Sequence, residues 1–314
     1  MTAHPFEVLS VNVSDAKGTI KHPVAEIEID SNGIVGDAHA GFGHRQVSLL
    51  AKESIDRFAH EAERCFSPGE FAENLTTGGV PFESVALLDR FVIGDVELEV
   101  TQIGKACHGD RCAIYREVGR CVMPKEGIFT RVLRPGRVRK RDSGVHIQRP
   151  LKISVVTVSD RASRGVYEDK SGPAAVAFLQ EHLSSRKWRP EFRSAVVPDE
   201  RKDLDFAIHE SLNTGADILI TTGGTGVGPR DITPEVVSER ISKQIPGVME
   251  GVRAKFGASN PNALLSRAVA GTVGECLVYT LPGSVRGVTE YLEEISKSLE
   301  HALFMMRGID THVG

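Results

Sequence analysis

The chain has 314 residues, enough for two domains of ordinary size, and its 40% hydrophobic and 25% charged content is that of a globular protein in water. The 38 basic and 42 acidic residues leave a formal net charge of -4, so no overall basic field exists to hold nucleic acid or an anionic membrane. No apolar run approaches the roughly 18 residues of a spanning helix. The start, "MTAHPFEVLSVNVSD", lacks the basic and apolar regions of a signal peptide, and five cysteines without a framework spacing favour a reducing compartment. A cytoplasmic protein is expected.

The first half reads mostly as strands. "FEVLSVNVS", "AEIEID", "RQVSLLA" and "FVIGDVELEVTQIG" are short, rich in β-branched residues and separated by turn signals. Gly94-Asp95 between two apolar runs predicts a tight hairpin, and "RPGRV" near Gly136 predicts another turn. One amphipathic helix interrupts the pattern over about 52–64. A mostly antiparallel, barrel-like domain over 1–144 follows, with the polar segment ending at Pro150 giving a linker over 145–150.

From Leu151 strand and helix alternate: "LKISVVTVS", "SGPAAVAFLQEHL", "EFRSAVVP", "ERKDLDFAIHESLN", "DILITT". Such alternation predicts a mostly parallel sheet covered on both faces, here over 151–314. A hairpin, "AVAGTVGECLVYTLPG", and a long closing helix over about 285–306 complete it.

In "DILITTGGTGVGPRDITPE" a strand enters a loop with Gly223, Gly224, Gly226 and Gly228 and then a helix start, where Thr233 is the expected N-cap. Bare backbone before a helix N-terminus makes an anion site, because N–H groups and the helix dipole both favour negative charge. The loop matches neither a Walker A nor a G-x-G-x-x-G pattern. Asp231 beside it either supports the turn or helps hold a Mg²⁺ that bridges to phosphate. Three other strand ends carry polar loops. They hold Ser159, Asp160 and Arg161, followed by Asp169 and Ser171; Asp199; and Pro282, Gly283 and Ser284. In a parallel sheet these loops gather at one edge.

"VSDRASRGVYEDKSGPA", "VVPDE", "TTGGTGVGPRDITPE" and "LPGS" together resemble the molybdopterin adenylyltransferases of the MogA/MoaB type, over essentially all of 151–310. The resemblance implies a three-layer α/β/α fold, usually a homotrimer, that transfers AMP from Mg-ATP to the phosphate of molybdopterin. It further implies that Asp199 and Asp231 are the functional acids and Mg²⁺ ligands. Ser159, Asp160, Thr222, Gly223, Gly224, Thr225, Gly226, Pro282, Gly283 and Ser284 are implied to bind the nucleotide and pterin.

In the first half "GKACHGDRC" places Cys107 beside Lys105, His108 and Arg111, neighbours that favour thiolate. Cys107, His108, Cys112 and Cys121 could alternatively hold zinc or be ordinary thiols, although their spacings match the usual short-gap pairs poorly. "GIVGDAHAGFGHRQVSLL", "PGEFAENLTTGGV", "FVIGDVELEVTQIGKACH" and "MPKEGIFTRVL" resemble a MOSC domain over about 6–142. That resemblance implies a β-barrel-like fold in which Cys107 binds molybdenum of the cofactor or carries sulfur. Arg45 and Asn74, with Asp37, His39 and Glu73, are implied to line the pocket.

Both halves thus point to biosynthesis of the molybdenum cofactor. Expected partners are molybdopterin, ATP, other cofactor-biosynthesis proteins and apo-molybdoenzymes; pyridoxal phosphate is not expected. A non-catalytic pterin-binding scaffold and a cofactor-dependent reductase are the alternatives.

Overall fold

The computed structural model describes residues 2–41, 43–106, 115 and 120–310. The chain divides into two compact units, one of residues 1–149 with 309–314 and one of residues 150–308.

The first unit is built on a closed barrel. Its strands are β1 (Ala3–Val13), β2 (His22–Val24), β3 (Glu26–Asp30), β4 (Gly33–Ile34), β5 (Val47–Ala51), β6 (Leu75–Gly78), β7 (Arg90–Ile93), β8 (Val96–Ile103), β9 (Ile128–Arg134), β10 (Gly136–Arg139) and β11 (Ser143–Ile147). Seven of them run in the order β11-β7-β8-β9-β5-β6-β1, and pairing of β11 with β1 closes the ring. All barrel pairs are antiparallel except β5 with β6. β2 extends β1, and β10-β3-β4 form a separate small sheet. Closure leaves no open edge and buries Val8, Leu49, Leu75, Phe91, Leu98 and Val100 completely. The expected hairpin forms between β7 and β8, with Gly94 at φ 56°. The helix Lys52–Ala62 turns Ile55 and Phe58 onto Phe71, Met123 and Phe129.

Two local expectations fail here. Gly136 makes no turn: Pro135 separates β9 from β10, and the chain passes from the barrel to the small sheet. Residues 145–147, expected as linker, belong to β11, which pairs with β1 and β7 and buries the alternate residues Gly144 and His146 while Ser143 and Val145 stay exposed.

The second unit is an α/β domain with a mixed six-stranded sheet. Its strands are β12 (Leu151–Val158), β13 (Pro190–Val197), β14 (Ile218–Thr222), β15 (Lys243–Gln244), β16 (Ala270–Val273) and β17 (Cys276–Leu281), in the order β13-β12-β14-β17-β16-β15. The first four are parallel and β16 is antiparallel to both of its neighbours, so the sheet is not parallel throughout. The helices Arg201–Asn213 and Thr233–Ser238 cover one face, where Leu204, Ile208 and Val236 meet Val156, Leu219 and Val278. The alternate residues Ile153, Val155, Ile220 and Tyr279 are equally buried. On that side the helices Ser171–Ser184 and Val285–Met306 pack on each other and on β12 and β17. Among the described residues no helix is long and apolar enough to cross a membrane.

Candidate active site

The carboxyl ends of β12, β13, β14 and β17 lie on one side of the second unit, and a cleft of about 750 Å³ opens there. The residues implied to bind nucleotide, pterin or metal all line it, from Ser159 and Asp160 through Asp199, the run 222–226 and Asp231 to Pro282, Gly283 and Ser284, whereas Asp169 and Gly228 do not.

Each glycine of the loop answers a crowding problem. Gly223 has φ 97°, and a Cβ there would lie 2.3 Å from the Val158 carbonyl oxygen. A Cβ on Gly224, at φ 63°, would strike the Thr233 hydroxyl at 2.4 Å. On Gly226 and Gly228 it would meet Asp231 Oδ2 at 2.8 and 2.9 Å. Gly283 in turn brings its backbone against Gly223, so two loops touch main chain to main chain. Thr233 is not the N-cap. Ile232 occupies that position, and the fully buried Thr233 hydroxyl instead donates to the Gly223 carbonyl at 2.9 Å. Among the described residues the N–H groups of Gly224, Thr225, Gly226 and Val227 have no acceptor in the chain.

The acids hold distinct positions. Asp231 Oδ2 accepts the Gly228 N–H at 2.8 Å, so one carboxylate oxygen does support the turn. Asp199 Oδ2 accepts the Asp160 N–H at 2.7 Å, and Asp160 Oδ1 accepts the Asp199 N–H at 3.2 Å. Asp199 Oδ1 is 3.5 Å from where a Gly224 Cβ would stand, which sets it against the glycine loop. Burial, reinforced by the charges of Asp160 and Asp231, raises the Asp199 carboxyl above its ordinary value against the Asp160 N–H and Arg230. For Asp160 the penalty of desolvation is outweighed by the Arg230 fork, the Asp199 N–H and Arg164, so its carboxyl is lowered. Arg230 binds both Asp160 oxygens, at 3.0 and 2.8 Å, and Glu200 at 2.8 Å.

A hydroxyl network braces the floor. Thr157 donates to Asp169 Oδ2 at 2.6 Å, and Asp169 Oδ1 takes the N–H groups of Ser171 and Gly172 that begin a helix. The Ser171 and Thr222 hydroxyls meet at 2.9 Å. Ser159 accepts the Ala162 N–H and contacts the Tyr167 hydroxyl at 2.9 Å, while Ser284 caps the closing helix through the Gly287 N–H.

Sequence reasoning did not single out Arg267. Its guanidinium donates to the carbonyls of Gly226 at 2.5 Å and Asp231 at 2.6 Å and also pairs with Glu235. A lone arginine 36 residues beyond Asp231 carries no pattern. Only the sheet order, with β16 beside β17 beside β14, brings it to the loop.

Among the described residues no group of three or more His, Cys, Asp or Glu side chains could hold a metal by itself. The donor set of Asp199 and Asp231 beside unpaired N–H groups fits Mg²⁺, which prefers one or two carboxylates and takes its other ligands from phosphate oxygens and water.

In the first unit Asp37, His39, Glu73 and Asn74 converge in a largely buried polar cluster. Lys21 Nζ reaches Asp37 Oδ2 at 2.5 Å and His39 Nδ1 at 3.3 Å, and Asn74 Nδ2 donates to Asp37 Oδ2 at 3.2 Å. Burial lowers the Lys21 amine, with Asp37 opposing. The Asp37 carboxyl is lowered although burial works against it, because His39 and Lys21 bond to it. Glu73 is raised by burial, and its Oε2 has no hydrogen-bond partner. Arg45 stands over the Phe129 ring at 6.0 Å instead. Cys107, His108, Arg111 and Cys112 lie outside the described residues.

Fold and cleft together define an α/β domain that offers a glycine-rich anion cradle with carboxylates at its strand ends. A family model described as "Probable molybdopterin binding domain" matches residues 154–301, and a model of the MOSC domain matches residues 36–143. The molybdopterin adenylyltransferase of Helicobacter pylori strain J99 is 36% identical over 159 residues, 50% of this chain and 89% of that protein. That of Escherichia coli K12 is 35% identical over 147 residues, 46% of this chain and 73% of that protein. The solved tungsten cofactor synthesizing protein MoaB of Pyrococcus furiosus is 34% identical, with a TM-score of 0.46, covering 51% of this chain and 99% of that one. The chain belongs to the molybdopterin adenylyltransferase family, with a MOSC domain preceding the shared part.

Proposed function

We propose that the second unit transfers AMP from Mg-ATP to molybdopterin. An oxygen of the molybdopterin phosphate attacks the α-phosphorus, the bond to the β-phosphate breaks, and pyrophosphate leaves. Both reactants are anions, so catalysis is positioning and charge neutralisation. The observation that carries this reading is the pair Asp199 and Asp231 beside a glycine loop whose N–H groups lack acceptors. Those N–H groups would receive phosphate oxygens, and Asp199 and Asp231 would hold Mg²⁺, which would supply charge neutralisation. Ser159, Asp160 and Thr222 line the same wall, and Pro282, Gly283 and Ser284 form the pterin side.

The MOSC unit, on this reading, binds the molybdenum cofactor or carries sulfur at Cys107, with Arg45 and Asn74 as candidate ligand contacts. A homotrimer in the cytoplasm, handing cofactor to biosynthesis proteins or apo-molybdoenzymes, completes the proposal. Incubation of the chain with molybdopterin and Mg-ATP tests it. Adenylyl-molybdopterin and pyrophosphate are expected; tight pterin binding without pyrophosphate release would favour a scaffold instead.

A further inference from the structure

Thr233 ties the start of the glycine loop and Arg267 braces its middle. Arg267 takes three carbonyls of the loop region: its backbone N–H donates to Thr225 at 2.9 Å, Nε to Gly226 at 2.5 Å, and the terminal guanidinium nitrogen to Asp231 at 2.6 Å. In a planar trans peptide the carbonyl of one residue and the N–H of the next point in opposite directions. Fixing the Thr225 and Gly226 carbonyls therefore turns the N–H groups of Gly226 and Val227 away from Arg267. Those are two of the four loop donors without an acceptor. Fixing the Asp231 carbonyl holds the backbone from which its carboxylate extends.

The base of Arg267 is itself fixed. Arg253 donates to the carbonyls of Ser266 at 3.4 Å and Ala268 at 3.0 Å, on either side of it. Two residues on, the Val269 N–H donates to the buried Thr280 hydroxyl at 2.7 Å, which ties the segment to β17. The brace thus runs from the helix Pro246–Gly257 and β17 through Arg267 to the loop.

We propose that Arg267 is the positioning residue of the glycine loop, setting its N–H groups and Asp231 for the phosphates of the reaction. The inference rests on the adenylyl-transfer reading. A guanidinium is needed because its planar fork spans two acceptors, which one ammonium does not.

The test is steady-state turnover and molybdopterin affinity of the full chain and its Arg267→Ala and Arg267→Lys variants. Arg267→Ala should lower turnover by about 10²-fold, the scale of losing one oriented donor, with a much smaller change in molybdopterin affinity. Arg267→Lys should stay close to the alanine variant, and added guanidinium ion should restore part of the lost turnover of Arg267→Ala. Full turnover in Arg267→Lys would overturn the proposal, as would equal losses of turnover and pterin affinity together with a lower melting temperature. If Arg267→Ala does not fold, Arg253→Lys asks the same question one step back, with the same split expected at smaller size. A wild-type chain that releases no pyrophosphate sinks the adenylyl-transfer reading alone. Mg-ATP binding by calorimetry then reads the loop, weaker binding by Arg267→Ala supports the brace, and equal affinity overturns it.

Discussion

Asp160 and Asp199 hold each other by reciprocal bonds, each carboxylate accepting the backbone N–H of the other. The pair joins the ends of β12 and β13, but its two members are driven apart in acidity. Arg230 forks onto Asp160 and favours its ionised form, while burial and the charge of Asp160 raise the Asp199 carboxyl above its ordinary value. Asp199 is thus the acid with most to gain from a cation in the cleft.

A stability test follows from that sign. A carboxyl raised in the folded state costs stability once it ionises; the cost is absent below the unfolded value of about 3.9 and fully present above the folded value. Asp199→Asn should therefore melt higher than the wild type at neutral pH, and the gain should vanish as the pH falls below about 4. Turnover should fall by about 10² or more. A lower melting temperature at neutral pH would show that the carboxylate is structural.

Asp231 separates shape from charge. Asn keeps an acceptor for the Gly228 N–H, so Asp231→Asn should lose about 10² in turnover with little change in melting temperature or pterin affinity. Asp231→Ala removes the turn contact as well and should also melt lower. Equal turnover in the asparagine variant and the wild type would return Asp231 to a turn-supporting role.

The glycines allow a contrast between stability and catalysis. Gly223→Ala combines a positive φ with a 2.3 Å approach to a backbone carbonyl that cannot move aside, and should cost on the order of 1–3 kcal/mol. Gly226 has no positive φ, and its Cβ would press on the Asp231 carboxylate. Gly226→Ala should therefore lose turnover while unfolding near the wild-type denaturant midpoint. Matching midpoints in the two variants would contradict the assignment.

Much of this was readable in the chain, for a physical reason. Parallel strands put all their carboxyl ends on one side, so once alternation identified them, the loops at 159, 199, 223 and 283 had to converge. The barrel-like character of the first unit was readable from its short strands, but not which strands close it, since β1 and β11 lie at opposite ends of the unit's sequence and pair only in space. β10 was hidden by its charges. Arg137 and Arg139 face Glu28 and Glu26 across the β10–β3 pair, so a segment that looks like a solvated linker is a paired strand. Arg267 was hidden because the loop groups it holds are carbonyls, which leave no trace in side-chain identity.

In the MOSC unit the buried pair Lys21 and Asp37 can be read separately from the rest. Lys21→Met would leave the buried Asp37 without its cation, a change on the scale of breaking a buried ion pair, about 3–5 kcal/mol. The chain has one tryptophan, Trp188, buried in the second unit. Calorimetry of Lys21→Met should show one transition moved to lower temperature while the change in Trp188 fluorescence keeps its midpoint. A common shift in both signals would mean that the two units unfold together.

The cysteines give the last test. Burial, with the nearby Asp217, pushes the Cys276 thiol up to about 12, so it is neutral and shielded at physiological pH. Cys107 follows a strand that ends beside Lys105 and lies next to His108 in sequence, and cationic neighbours favour thiolate. Alkylation near neutral pH should modify Cys107 faster than the exposed Cys65, and Cys276 last. Cys107→Ser should abolish retention of cofactor or persulfide while adenylyl transfer continues, because the proposed acids and glycine loop all belong to the other unit. Cys112→Ser is the control. Stoichiometric zinc lost in both variants, with neither cofactor nor persulfide on the wild type, would make Cys107 a metal ligand and remove it from sulfur or molybdenum chemistry.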